Sequence, residues 1–335
     1  MIKLAIDAMG GDYAPKEQVE GCMLAIKNIP DIELTLYGDE PQIRKYLTDE
    51  TRITIVQSDG VIGMGEKDPI RAIRGNRNSS MAMALSSVRN KENDGVVSSG
   101  ATQALIAGAH ILIGRLKFMK RTAIAPLMPN VNGKNTILLD AGGNIEIKPE
   151  FMLQQATFAA VYAKEVMGVK NPRVGLINIG TEPGKGREID KWAFDLFAKT
   201  DNFEFVGNIE PKEVLDPPCE VLISDGFTAN IVMKTVEGVA KGLGKILKQE
   251  ITRGFFGKIG ALLVKNNLKR FKNRLNPEEV GGAMIYGLKG VVVKAQGSSK
   301  ARGYASGIRQ AATVVRNDVI NKVKSVIESE QQWRY

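Results

Sequence analysis

The residues of this chain that could do chemistry are small polar side chains, a few aspartates and one lysine, gathered where apolar runs stop. LAIDAMGGDYAP (4–15) carries Asp7, Gly10, Gly11 and Asp12, and GVVSSGATQA (95–104) carries Gly100 and Thr102. ILLDAGGN (137–144) ends on Asn144, and VGLINIGTEPGKG (174–186) carries Gly180, Thr181, Glu182, Gly184 and Lys185. VLISDGFTAN (221–230) brings Asp225, Thr228 and Asn230, and VVVKAQGSS (291–299) brings Gln296, Ser298 and Ser299. LTLYGDE (34–40) and FEFVGNIEP (203–211) stop in the same way. In open parallel sheets ligands bind where strand carboxyl ends give way to loops, so these endings predict one active-site rim. Small residues that expose backbone N–H groups, with a lysine among them, suit an oxyanion.

Each motif also has a plainer reading. AMGGD serves as a tight turn as readily as a binding loop. GTEPGKG resembles a phosphate cradle, with Lys185 as its cation, at the entry to a helix expected over 187–199. It is not a Walker A loop, being one residue short and placing Gly186 where Ser or Thr would hold magnesium. SDGFTAN precedes a long helix, so Asp225, Thr228 and Asn230 either cap it or orient a ligand; QGSS has the same two readings before the last helix.

What is scarce is also informative. Cys22 and Cys219 have no CxxC partner and are expected to be buried thiols. His110 is the single histidine and lies in the apolar run ALIAGAHILIG, where a packed or satisfied imidazole is expected. A histidine-dependent triad and a His/Cys metal site therefore lack their parts. No strand ends in GxGxxG, which leaves a conventional dinucleotide site unsupported. No cofactor and no metal are expected, beyond a hard cation carried on substrate phosphates. The N-terminus enters a strand directly and no run approaches the ~20 apolar residues of a membrane span, which reads as a cytosolic chain.

The elements that must position these residues alternate from end to end. Pro15 is placed to open a helix bearing Val19, Cys22, Met23 and Ile26 on one face. Strands are expected near 32–38, 53–57, 95–99, 123–127, 136–140, 173–179, 203–207, 220–224 and 291–295, with helices at 151–167 and 301–328 among those between them. An α/β fold with a mostly parallel, doubly wound sheet follows. PNVNGKN, between two of these strands, reads as a hairpin turn that would insert an antiparallel pair.

One segment breaks the alternation. RGFFGKIGALLVKNNLKRFKNR (253–274) has seven basic residues, Arg253, Lys258, Lys265, Lys269, Arg270, Lys272 and Arg274, and no acidic one, so most of the chain's net charge of +9 resides there. As a helix it sets Lys258, Lys265, Lys269 and Lys272 on one side and Phe255, Phe256, Ile259, Leu262 and Leu263 on another. Val264, Leu268, Phe271 and Leu275 form a displaced second face, which predicts a bent or two-part element. Packing on the core or a twin subunit, insertion into an anionic membrane surface, and nucleic-acid binding are the available readings; the last has no groove-reading motif and is disfavoured.

Taken together and in order, DAMGGDYAP, LLDAGGN followed by KPE, NPRVGLINIGTEPGKG, ISDGFTANIVMKTVEG and GGAMIYGLKGVVVKAQGSS resemble the bacterial phosphate acyltransferase family. The resemblance runs from about residue 2 to 315. It implies transfer of a long-chain acyl group from acyl carrier protein to inorganic phosphate, giving acyl phosphate for membrane phospholipid synthesis. It also implies an isocitrate/isopropylmalate dehydrogenase-like three-layer sandwich forming a single domain over 1–335. Within it, residues 231–290 would protrude as a helical hairpin whose amphipathic basic tip, 253–274, meets an anionic membrane surface on the inner face of the cell membrane. The family's members are peripheral homodimers. On this reading Lys185 and the N–H groups around Gly180–Gly184 hold phosphate. Gly10, Gly11, Thr102 and Asn144 line the reacting carbonyl, and Asp7, Asp225 and Asn230 orient these groups or the pantetheine arm.

The chain departs from the family pattern at three places. It reads SSGATQA where members commonly read SAGNTGA, and QGSS where they read HGSS; Ala229 precedes Asn230 where Gly is usual. Gln296 cannot titrate, so any acid or base work of the family's histidine would fall to another group. A nicotinamide-dependent dehydrogenase of the same fold and a non-catalytic membrane scaffold are the other readings of these residues.

Overall fold

The computed structural model describes residues 1–274 and 281–329. The strands are β1 (Ile2–Asp7), β2 (Ile32–Gly38), β3 (Ile53–Gln57), β4 (Gly95–Ser98), β5 (Ala123–Pro129), β6 (Asn135–Leu139), β7 (Arg173–Ile177), β8 (Glu204–Ile209), β9 (Val221–Ile223), β10 (Ala283–Tyr286) and β11 (Val291–Lys294). The helices are α1 (Lys16–Asn28), α2 (Glu40–Arg44), α3 (Pro69–Gly75), α4 (Ser80–Arg89), α5 (Thr102–Leu112), α6 (Pro149–Met167), α7 (Glu188–Phe197), α8 (Gly226–Ile251), α9 (Gly254–Leu263), α10 (Lys265–Arg274), α11 (Ala301–Arg316) and α12 (Val319–Ser329).

Strands alternate side chains between two faces, and here both faces are covered, which is why the strands read as unbroken apolar runs. Leu4 and Ile6, Val97, Val293, Ile137 and Leu139 point to the side of α1, α6, α7, α11 and α12. Their neighbours Ala5, Val96 and Val292 point to α3, α4 and α5, while Leu138 and Leu222 point to the base of α8. Helices, sheet and helices make the expected three layers.

The sheet order is β3-β2-β1-β4-β11-β10-β5-β6-β9-β7-β8. β1 to β4 and β11 are mutually parallel, as are β6, β9, β7 and β8. Between the two blocks lie three antiparallel pairings, β11 with β10, β10 with β5 and β5 with β6. An odd number of reversals turns the second block against the first. The carboxyl ends of β1, β4 and β11 therefore open on one edge of the sheet and those of β6, β7, β8 and β9 on the other. The single rim expected from the sequence is two rims.

The β5–β6 hairpin stands where PNVNGKN placed it. β10, a short strand behind the glycines at 281–282, is not legible as one from its sequence. The helix expected over 301–328 is two, because the chain turns at Asp318, whose φ is 51°. α8 begins at Gly226, inside SDGFTAN and not after it, so Thr228 and Asn230 sit in its first turns. Beyond Val236 its apolar side chains leave the core: Val239, Leu243 and Ile246 are exposed, and so are Phe255, Phe256, Ile259, Leu262 and Leu263 on α9. The expected two-part element is present, with the break at Val264 between α9 and α10. The side chains of Lys272 and Arg274, and Leu275, lie outside the described residues.

Candidate active site

The edge of β1, β4 and β11 is closed on itself. Asp7 ends β1 in full burial, where Ser80 Oγ and Ser98 Oγ each donate to its carboxylate at 2.6 Å. Burial pushes its carboxyl above the ordinary range, against the pull of those hydroxyls and of the Met9 and Gly10 N–H groups. Gly10 and Gly11 are glycines because protein, not ligand, occupies the space beside them. A Cβ on Gly10 would stand 2.5 Å from the Asp7 carboxylate and 2.7 Å from Gly100 N, and one on Gly11, at φ +106°, 2.7 Å from Ser99 Oγ. Gln18 Nε2 donates to Gly10 O at 2.7 Å and to Ser99 Oγ at 2.9 Å. Lys294 is buried beneath this loop and donates to the Ser99 and Ala295 carbonyls. Burial lowers its pKa to about 8, partly offset by Asp7 and Asp12.

Thr102 opens α5 on this edge, and Asp12 N donates to Gly297 O at 2.9 Å, which ties the first loop to QGSS. Ser299 is buried and its N–H closes a turn on Gln296 O, while Gln296 and Ser298 are exposed.

The opposite edge is built from three loops. Asp140 ends β6 in full burial and accepts from Ile124 N, Gly143 N and Asn144 Nδ2 at 2.9, 2.9 and 2.6 Å. Asn144 Nδ2 also donates to Thr122 O, and Gly226 N donates to Asn144 O at 2.7 Å, so the β6 loop is locked to the start of α8. A Cβ at Gly226 would lie 2.4 Å from Asn144 O, which is why glycine stands there. His110 Nε2 meets Thr122 Oγ1 at 2.9 Å; burial, with Arg115 and Arg121 nearby, lowers its pKa. Asn230 borders the open side of Gly142.

Asp225 caps α8, accepting from Phe227 N and Thr228 N at 3.0 Å each and from Thr228 Oγ1 at 2.8 Å. It also accepts from Arg187 Nη2. Burial would raise its carboxyl, but Arg187 and the Thr228 donors outweigh that and hold it below the ordinary value. Arg187 in turn grips Asp190 through Nε and Nη2 at 2.9 and 2.8 Å. The guanidinium is thereby fixed at the foot of the 180–186 loop.

That loop is pinned from beneath and open above. Asn178 Nδ2 donates to Lys185 O at 3.1 Å, and Asn208 Nδ2 to Glu182 O at 2.8 Å. Gly186, at φ +88°, would bring a Cβ within 2.5 Å of Asn178 Oδ1. Thr181, Glu182, Gly184 and Lys185 are exposed, and Lys185 Nζ lies 3.9 Å from a Glu182 carboxylate oxygen. Two cations, Lys185 and Arg187, thus stand on one small-residue loop. Lys185 lies beside Glu182 and Arg187 is bound to Asp190 and Asp225, so Lys185 is the more accessible of the two cations to an anion at this loop.

The structure accordingly groups Asn144, Asp225, Thr228 and Asn230 with the Gly180–Lys185 loop, and separates them from Asp7, Gly10, Gly11, Gly100, Thr102, Gln296, Ser298 and Ser299. The expectation that Asn144 joins Gly10, Gly11 and Thr102 around one carbonyl is corrected, because the two parallel blocks run in opposite directions. Sequence reasoning missed Asp140, Asn178, Arg187, Asp190 and Asn208. Arg187 directly follows the GTEPGKG run, which was the available signal; the asparagines at the ends of β7 and β8 carried none. The thiols are as expected: Cys22 and Cys219 are buried, and burial pushes Cys219 up to about 12. No helix among the described residues is long and apolar enough to cross a membrane.

Solved structures of similar fold include a phosphotransacetylase from Streptococcus pyogenes, at a TM-score of 0.61 and 14% identity over 96% of this chain and 94% of that one. A branched-chain phosphotransacylase from Enterococcus faecalis matches at 0.58 and 14% identity, over 94% of this chain and all of the other. At such identity the likeness concerns fold alone. In sequence, a phosphate acyltransferase of Acholeplasma laidlawii is 55% identical over 99% of this chain and 100% of its own length. One from Bacillus cereus is 43% identical over 98% of this chain and 99% of its own length. The family model described as "Fatty acid synthesis protein" matches residues 2–322. With these matches spanning nearly the whole chain and both sheet edges, the protein belongs to the phosphate acyltransferase family of fatty acid synthesis proteins.

Proposed function

We propose that the acyl donor is the thioester of a long-chain acyl group on acyl carrier protein and that the product is an acyl phosphate destined for membrane phospholipid synthesis. The observation that carries this reading is the open 180–186 loop with Lys185 exposed on it and Arg187 anchored at its foot. A phosphate dianion is already a nucleophile and needs placement and charge screening, not a serine or cysteine from the protein. Its oxygen attacks the thioester carbonyl; the tetrahedral oxyanion collapses, the C–S bond breaks, and the carrier thiolate leaves to be protonated by solvent. Lys185 and the Gly180–Gly184 N–H groups hold the phosphate. Asn144 and Asn230 border the acyl carbonyl, and Asp225 sets Arg187. Asp7, Gly10, Gly11 and Thr102, on the other edge, support the fold of their own loop cluster. Acyl carrier protein is acidic, so the chain's basic character favours encounter.

The projecting part of the chain suits two further roles within a single domain. Val239, Leu243 and Ile246 recur at spacings of four and three along α8, the seam by which a helix pairs with a second copy, so the working unit is a homodimer. Beyond that seam, Phe255, Phe256, Leu262 and Leu263 with Lys258, Lys265 and Lys269 form the tip of the projection that α8, α9 and α10 build; the bounds 231–290 are corrected, because β10 (Ala283–Tyr286) is buried within the sheet. That tip meets an anionic bilayer from the cytoplasmic side.

The test is thiol release from palmitoyl carrier protein with and without inorganic phosphate, with hydroxylamine trapping of the product. Phosphate-dependent release with trapped acyl hydroxamate is expected; phosphate-independent release would reject the reading. Flotation with anionic vesicles, using Leu262→Asp, and sedimentation of Leu243→Asp address the tip and the dimer separately.

A further inference from the structure

An open groove of about 340 Å3 runs along the first turns of α8. Pro211, Val214, Phe227, Thr228, Ile231 and Thr235 form its walls, and no charged side chain lines it. Its floor is preformed: Val214 and Val232 are 6% and 8% exposed and belong to the apolar cluster under α8. Its upper wall is not covered, for Phe227 and Ile231 are 57% and 49% exposed. Concave apolar surface with a few polar groups at one end suits an apolar ligand.

The two ends of the groove differ. At one end Thr228 donates its hydroxyl to Asp225, the carboxylate that holds Arg187. Pro211 lies two residues beyond the end of β8, where Asn208 supports Glu182 O in the cation-bearing loop. At the other end the groove opens along α8 past Thr235. An acyl group whose carbonyl lies against an anion on that loop needs apolar surface for its chain, and the groove starts at Thr228, joined through Asp225 to Arg187.

We propose that this groove is the binding site for the alkyl chain of the acyl group, taking an unbranched saturated chain with its carbonyl end at Thr228. The assignment rests on the reading of the 180–186 loop as the phosphate site. The chain enters at Thr228 and passes between Val214 and Ile231. Each methylene withdrawn from water contributes about a fourfold change in apparent affinity.

Ile231→Trp and Thr235→Trp fill the groove without touching Asp225, Arg187 or Lys185. Phosphate-dependent thiol release is followed with hexanoyl and hexadecanoyl carrier protein, and binding of a fluorescent long-chain fatty acid is measured on the same proteins. In Ile231→Trp the KM for the hexadecanoyl substrate is expected to rise about thirtyfold or more while that for hexanoyl changes less than about threefold, and the fatty-acid probe loses binding. Equal changes for both lengths, or no change for either, overturn the groove assignment. Dissociation of the protein in sedimentation without a chain-length effect also overturns it, since the groove would then be a contact between copies. If the wild type shows no phosphate-dependent release, the phosphate reading fails instead, and probe binding lost in the tryptophan variants still decides the groove. Should Ile231→Trp misfold, Ile231→Ala provides the smaller change, a rise of several fold confined to the long substrate.

Discussion

The two edges of the sheet use the same vocabulary for different ends. Asp7 and Asp140 are both buried aspartates at strand ends, each followed by paired glycines and each held by hydroxyl, amide or backbone donors. Around Asp7 the space beside the glycines is filled by Gly100 and Ser99, and the nearby cation, Lys294, is spent on backbone carbonyls. Beside the Asp140 loop stand the start of α8 and the 180–186 loop, where Lys185 and Arg187 are half exposed. A buried carboxylate with satisfied donors organises loops in both places. What distinguishes the second edge is a small-residue loop pinned from beneath, with Gly184 unobstructed and Lys185 exposed on it.

That difference is open to direct attack. Asp7→Ala should cause the largest loss, about 3 to 5 kcal/mol of stability by urea unfolding, because Ser80, Ser98 and two N–H groups lose their acceptor in burial. Stability near wild type would show that the Asp7 edge is not the structural one. Next, Lys185→Ala should raise the KM for phosphate about 10- to 100-fold, the range of a hydrogen bond to a charged group, with little change in melting temperature. Unchanged phosphate kinetics would remove Lys185 from the site. Gly10→Ala should cost about 1 to 3 kcal/mol, since its Cβ meets a carboxylate and a backbone nitrogen, and the phosphate KM of the folded fraction should stay as it was.

The smallest effect is in pH. The Asp225 carboxyl sits below its ordinary value of 3.8 when folded, so the stability it contributes is fully present above that value and is lost as pH falls through the folded value. Arg187 is half exposed, so water screens the pair and the effect stays below about 1 kcal/mol. The difference in urea midpoint between wild type and Arg187→Ala should therefore narrow between pH 5 and pH 3. A gap that widened on acidification would place the Arg187 contribution elsewhere.

Much of this molecule is legible from its residues. The apolar runs of β1, β4, β6, β9 and β11 could be read because a strand buried on both faces has no polar positions to break its pattern. The Asn and Gly of PNVNGKN named a hairpin because few backbones other than a tight turn want them. β10 escaped because four residues beginning AMIY carry no distinctive period, and its antiparallel pairing is imposed by β5 and β11 on either side. The start of α8 escaped because Asp225, Thr228 and Asn230 can each precede or enter a helix. The choice went to Asp225 as cap once Arg187 and the Thr228 donors gathered on it.

By itself the sequence determined which residue types stand at strand ends, that the tip is basic and apolar without acidic relief, and the family to which the motifs belong. These are local facts, written in composition and spacing. Only the tertiary structure decided which strand ends share an edge, because that depends on the number of antiparallel pairings between two parallel blocks, and β10 takes part in two of the three. It also decided that the glycines beside Asp7 make room for protein while Gly184 in the 180–186 loop lies open, since neighbours distant in sequence set that space.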